Sequence, residues 1–175
     1  MTANLPPHFQ PNSPEEERIF MGTLTVSSET AFTQTPEQVY DFVTDPRNWP
    51  KAYPGSSHIV GVANLPLQVG DEWNEGAPPR VFTWRLITAA RPTKWVFQSV
   101  GLLGHDPENP GTGFVGLMTV AYSFSTPGDG VTLFHRQMSM ELPKRATMPE
   151  GMIAAFEPHR IDSYHDAVAR LLSET

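Results

Sequence analysis

The stretch Thr35-Pro36-Glu37-Gln38-Val39-Tyr40-Asp41-Phe42-Val43-Thr44-Asp45-Pro46-Arg47-Asn48-Trp49-Pro50 constrains this chain more than any other. Thr35 suits the cap of a helix, and Pro36 suits its first position, where a missing N–H costs nothing. Val39, Phe42 and Val43 fall at i, i+3 and i+4 and make one apolar stripe. Asp45-Pro46 ends that helix, because the residue before a proline is pushed out of the α region. A β-like run lies before the helix, and a second short helical segment follows through Trp49 to Tyr53. Few folds open with a strand, a short capped helix, a turn and another short helix.

Beyond this opening the chain reads as strand after strand. Residues 22–33 place Leu24, Val26, Ser28, Thr30 and Phe32 on one face, and 57–62 and 69–75 follow as further strands. Residues 80–89 carry Phe82, Trp84 and Leu86 on one face, and 95–100 return after the turn Pro92-Thr93-Lys94. Residues 114–125 and 131–142 form a hairpin around Pro127-Gly128-Asp129-Gly130. Ile161, Tyr164, Val168, Leu171 and Leu172 have helical spacing, with Pro158 interrupting the approach to this last helix. The expected fold is α+β: a curved antiparallel β-sheet wrapped around a long C-terminal helix, with two short helices after the first strand. Both layers have one apolar face to bury, and a long bent sheet cannot close fully on a helix, so an internal hydrophobic cavity is expected. Residues 1–20, rich in proline and acids, read as a flexible tail, with a helix start at Ser13-Pro14-Glu15-Glu16; 21–175 read as the domain.

Composition removes several function classes. At 175 residues the chain is long enough for one domain with a real core. It has no apolar run long enough to span a membrane and no signal-peptide pattern, so the expected compartment is the cytoplasm. The absence of cysteine excludes disulfides, thiolate catalysis and cysteine-based zinc sites. A net charge of −7 with 12 Lys and Arg argues against a nucleic-acid partner. No Gly-rich phosphate loop, nucleophile elbow or HExxH spacing occurs, so nucleotide use is not expected. His105, Asp106 and Glu108 are too close together on a Pro/Gly-rich loop to preform a metal site, so no metal is expected either.

Four phrases carry a resemblance. They are the segment from Pro36 to Pro46, Val69-Gly70-Asp71-Glu72-Trp73-Asn74-Glu75, Ala90-Arg91-Pro92-Thr93-Lys94-Trp95-Val96-Phe97, and Tyr122-Ser123-Phe124 leading through the Pro127 turn into Val131-Thr132-Leu133. In these, over about residues 23 to 172, the chain resembles the START-like, helix-grip (SRPBCC) superfamily, especially its polyketide cyclase/dehydrase and lipid-transport branch. The resemblance implies a domain that binds a small hydrophobic ligand, polyketide-like or aromatic. It implies one of three roles: a cofactor-free cyclase, dehydratase or related lyase, a non-catalytic carrier or sensor, or an interaction domain like the chaperone activators of this fold class. A homodimer is compatible with each. Fold membership alone warrants no reaction.

Among individual residues, Arg136 is the anomaly on the otherwise apolar face Thr132-Phe134-Arg136-Met138-Met140. A buried guanidinium needs a partner or an anionic or carbonyl-bearing ligand, and it suits enolate or carboxylate stabilisation. The competing readings are an ion pair with a carboxylate such as Glu75 or Glu29, and a face turned partly to solvent. Glu75, on the face of Trp73, is a candidate inward acid, and Tyr122 a candidate hydroxyl donor; a salt bridge or exposure for Glu75 and a structural hydroxyl for Tyr122 stand beside these roles. Trp73, Phe82, Trp84, Trp95 and Phe134 supply flat aromatic mass, and Met118, Met138 and Met140 an adaptable lining; core packing is the alternative for each. His159 lies near the expected opening. His135 is read as a surface histidine, and His165 as pairing with Asp162 on the helix surface.

Overall fold

The computed structural model describes residues 20–53, 55–78, 80–103, 113–128, 130–143, 153 and 156–174. The expected tail lies outside them except for Phe20, and so does the loop segment bearing His105, Asp106 and Glu108. Strands β1 (Phe20–Phe32), β2 (Glu72–Ala77), β3 (Arg80–Ala90), β4 (Lys94–Leu103), β5 (Phe114–Gly128) and β6 (Val131–Pro143) make one sheet. Its order is β1-β6-β5-β4-β3-β2, so first and last strands pair and every neighbouring pair is antiparallel. Helices α1 (Pro36–Val43) and α2 (Trp49–Ala52) follow β1, and α3 (Pro158–Ser173) closes the chain across the sheet's concave face. The expected curved sheet, paired short helices and terminal helix are all present.

The opening corner forms as its residues dictate. Gln38 N donates to Thr35 Oγ1 at 3.3 Å and Thr35 N donates to Gln38 Oε1 at 2.9 Å, a reciprocal capping box. Pro36 occupies the first helical position, and Asp45 caps a single 3-10 turn, Pro46–Asn48, by accepting from Arg47 N at 3.0 Å. Trp49 Nε1 then donates to Val43 O at 2.9 Å, and Asn48 Nδ2 to Phe42 O at 3.0 Å, which locks α1 to α2.

Three expectations change. Residues 57–62 do not form a strand: Val60 pairs with Asn74 by one bridge, and Ser57 O accepts from Gly76 N at 2.7 Å. His58 at φ 50° and Gly61 at φ 89° interrupt the extended backbone on either side of that bridge. The strand expected at 69–75 begins at Glu72, because Gly70 at φ 99° sits in a turn closed by Asp71 N donating to Gln68 O at 2.9 Å. Pro158 does not interrupt the last helix but begins it, where its fixed φ is helical and its missing N–H is harmless.

The core lies between the concave face and the helices. Trp73, Trp84, Leu86, Trp95, Phe97, Val120, Tyr122, Phe134 and Met140 come from the sheet; Val39, Val43 and Trp49 come from α1 and α2, and Ile161, Tyr164 and Val168 from α3. Rings touch rings throughout: Trp73 stacks on Trp95 at 5.7 Å, Trp49 on Phe97 at 5.2 Å, and Phe124 on Phe134 at 5.1 Å.

Candidate functional site

Strand alternation sends Glu75, Tyr122 and Arg136 to the same concave face as the aromatic core. Tyr122 and Arg136 are direct cross-strand partners, and Ser28 of β1 flanks Arg136 on its other side. From the opposite layer, α3 lowers Tyr164 onto Arg136, whose guanidinium carbon stands 4.8 Å from the Tyr164 ring centroid. No ion pair joins Arg136 to Glu75 or Glu29 among the described residues; Glu29 instead approaches His135 Nδ1 at 3.9 Å. The structural ion pair weighed for Arg136 is therefore not formed.

Glu75 is held by two neutral donors. Ser56 Oγ donates to its Oε1, and Trp84 Nε1 donates to its Oε2 at 2.8 Å. Burial raises its pKa above the usual carboxylate value, and these two bonds and the charge on Arg136 only partly offset that rise. Tyr122 and Tyr164 are both pushed upward, by burial first; Arg136 opposes the rise at each. These hydroxyls remain protonated at neutral pH, a state that can donate a hydrogen bond but not serve as a base.

The same region gathers polar atoms that lack partners. Trp73 Nε1, Arg136 Nε, Tyr164 Oη and His165 Nε2 are buried without a hydrogen bond. His165 itself was expected on the helix surface. It is instead buried, with Nδ1 2.8 Å from Thr30 Oγ1 and its ring 4.8 Å from that of Phe134, while Asp162 accepts from Ser28 Oγ at 2.5 Å. The signal was present: His165 lies four residues after Ile161 and three before Val168, on the helix's apolar stripe. Tyr164 was read only as an apolar helix position, and Ser56 not at all.

The other predicted residues divide. Trp73, Trp84, Trp95 and Phe134 are buried and packed against other rings, Trp84 carrying the donor to Glu75. Phe82 is half-buried and stacks on Trp84 at 5.6 Å. Met118 and Met140 are buried cross-strand partners, and Met138 is half-buried against the core. His159 stands apart from all of these, exposed in the first turn of α3, 3.5 Å from Glu157 Oε2.

A cleft of about 440 Å³ opens between the α2 segment and α3. Lys51, Ala52, Tyr53 and Gly55 form one wall, and His159, Arg160, Ser163, Tyr164, Ala167 and Arg170 the other. Of the predicted ligand residues only His159 belongs to it. Its buried members are Ala52 and Tyr164, so the ring that covers Arg136 is also part of the cleft wall. Among the described residues no cluster of His, Asp and Glu has the makings of a metal site, and no helix is long and apolar enough to cross a membrane.

Neither a family model nor a curated protein matches the sequence. Solved structures do match the fold. Ara h 8.0201 aligns with a TM-score of 0.62 at 13% identity, over 88% of this chain and 100% of that one. A START superfamily protein from Mycobacterium smegmatis aligns at 0.61 and 14% identity, over 87% of this chain and 99% of that one. The Aha1 dimer from Colwellia psychrerythraea aligns at 0.58 and 11% identity, over 85% of this chain and 96% of that one. At these identities the likeness establishes architecture and nothing about chemistry. Sheet order, the paired short helices and the closing helix together give this chain the START-like, helix-grip fold.

Proposed function

We propose that this domain binds a flat, largely apolar molecule bearing an acceptor oxygen, between its sheet and α3, and converts it without a cofactor as a cyclase, dehydratase or related lyase. The observation that carries the reading is Arg136: a guanidinium against the Tyr164 ring, with no carboxylate paired to it among the described residues and Nε lacking any acceptor. The residue is half-buried and its Nε is wholly buried, so that N–H lacks both water and an acceptor, and a ligand carbonyl or carboxylate would satisfy it. Trp73 Nε1, on the far side of the same core, is a further buried donor without an acceptor. In this reading Arg136 stabilises charge developing on the ligand oxygen, Tyr122 donates a hydrogen bond, and Glu75 exchanges a proton from a site where burial favours its neutral form. The surrounding aromatic and methionine side chains hold the ligand in one conformation, and orientation supplies much of the rate.

A second reading, carriage without turnover, is favoured by the engagement of both Glu75 oxygens with Ser56 and Trp84, which leaves that carboxylate committed to the protein. Native mass spectrometry of the protein from its own host separates the cases. The expected result is a retained small molecule in the wild type and its loss in Arg136→Met, with circular dichroism showing both folded. Incubating the released compound with fresh protein then shows conversion for an enzyme and recovery unchanged for a carrier. Equal retention in the wild type and Arg136→Met would remove the role given to Arg136.

A further inference from the structure

The cleft between α2 and α3 differs in charge from the molecule around it. The chain has a net charge of −7, yet the cleft wall contains Lys51, Arg160 and Arg170 together with His159, and no carboxylate. Among the described residues neither Arg160 nor Arg170 is ion-paired, and Lys51 Nζ donates only to the neutral Asn48 Oδ1, at 2.8 Å. Glu157 Oε2 stands 3.5 Å from His159 Nδ1 and engages neither guanidinium group. One of these cations, Arg160, also occupies the first turn of α3, whose N-cap Glu157 makes no capping hydrogen bond. The aligned peptide dipoles there disfavour a cation by about 0.3–1 kcal/mol. Such a grouping works against folding and for the capture of an anion.

The second element is continuity. Tyr164 belongs to the cleft wall and its ring lies over Arg136, so this one ring separates the cleft from that guanidinium. A volume of about 440 Å³ holds an anionic group with part of a ring system behind it.

We propose that the cleft is the mouth of the site, and that Arg160 and Arg170, with Lys51 opposite, receive the anionic end of an amphipathic ligand: a carboxylate, sulfonate or phosphate joined to an apolar body that passes Tyr164 into the grip. This rests on the ligand-binding reading above and adds a selection rule to it. Apolar contact holds the body, while the exposed cations choose among bodies by their charge and speed capture from solution.

Two fluorescent probes sharing one aromatic skeleton test this: anilinonaphthalene sulfonate, and phenylnaphthylamine, which lacks the sulfonate. Both are expected to bind the wild type at a stoichiometry near one. The double variant Arg160→Gln/Arg170→Gln is expected to lose about tenfold or more in sulfonate affinity while phenylnaphthylamine binding stays within about twofold; the Lys/Lys variant restores the sulfonate probe. Raising the ionic strength is expected to weaken the sulfonate probe alone. Inorganic phosphate at matched ionic strength should leave that probe bound; displacement by phosphate would make the cleft a simple anion site and overturn an amphipathic ligand. Unchanged sulfonate affinity in the Gln/Gln variant overturns the cationic mouth while leaving the binding domain intact. Failure of both probes to bind the wild type overturns the ligand-binding reading and this inference with it.

Discussion

His165 shows how one buried group converts position into pH dependence. Its pKa is lowered from 6.5 to about 4, by burial first and then by Arg136, with Asp162 pulling the other way and His135 adding to the fall. A histidine whose folded-state pKa lies below its unfolded value takes up a proton more readily when unfolded. Its contribution to stability is therefore intact above about pH 6.5, is lost as the pH falls toward 4, and levels off below that. The full shift corresponds to at most about 3 kcal/mol. Urea denaturation between pH 4 and 7 should show the unfolding free energy dropping with acid in the wild type, and dropping less in His165→Gln. Glu75 acts in the opposite sense, since its raised pKa lowers stability as the pH climbs through the unfolded carboxylate value of 4.5; the difference between the two proteins cancels it. Identical pH slopes would mean that His165 is not the titrating group. Its burial was legible in the helix period, but its partner was not: Thr30 is 135 residues away.

At the scale of elements, the opening corner owes its geometry to local chemistry. Thr35 and Gln38 satisfy each other's backbone donors, and the eight-residue α1 is too short to be stable without packing and caps. Thr35→Ala is expected to lower stability by about 1 kcal/mol, read as a shift in denaturation midpoint with an unchanged slope; no shift would show that packing alone holds α1. This corner was readable because cap, proline and stripe act within one turn of each other. The segment 57–62 was misread for the converse reason. Its Ile59, Val60 and Val62 are strand-forming residues, but His58 and Gly61 adopt positive φ, and what remains is the bridge from Val60 to Asn74 and one bond from Gly76 N to Ser57 O. In α3 the proline was recognised but given the wrong sense. Pro158 is a start signal when an amphipathic run follows it, as Ile161, Tyr164 and Val168 do.

At the scale of the molecule, Trp49 ties the short helices to the sheet. Its ring stacks on Phe97 at 5.2 Å and meets Trp73 and Trp95 edge-on at 5.9 and 6.2 Å, while its Nε1 binds Val43 O. Trp49→Ala leaves a large void at this junction and a carbonyl without its donor, and is expected to lower stability by about 3–5 kcal/mol in chemical denaturation. A loss below about 1 kcal/mol would show that the corner does not brace the sheet. The same junction sets the cleft, because α2 forms one of its walls and α3 the other.

By itself the sequence determined the short capped helices, most of the strands, the closing helix and the likeness to the helix-grip architecture, since caps, proline positions and the periods of strand and helix act over a few residues. It also singled out Arg136 as a charge on an apolar face. Packing alone decided what Arg136 meets, that Ser56 and Trp84 hold Glu75, and that cations from positions 51, 160 and 170 share one cleft. Those neighbours are far apart along the chain and carry no common period, and only the closing of α3 over the sheet and the short helices brings them within reach of one another.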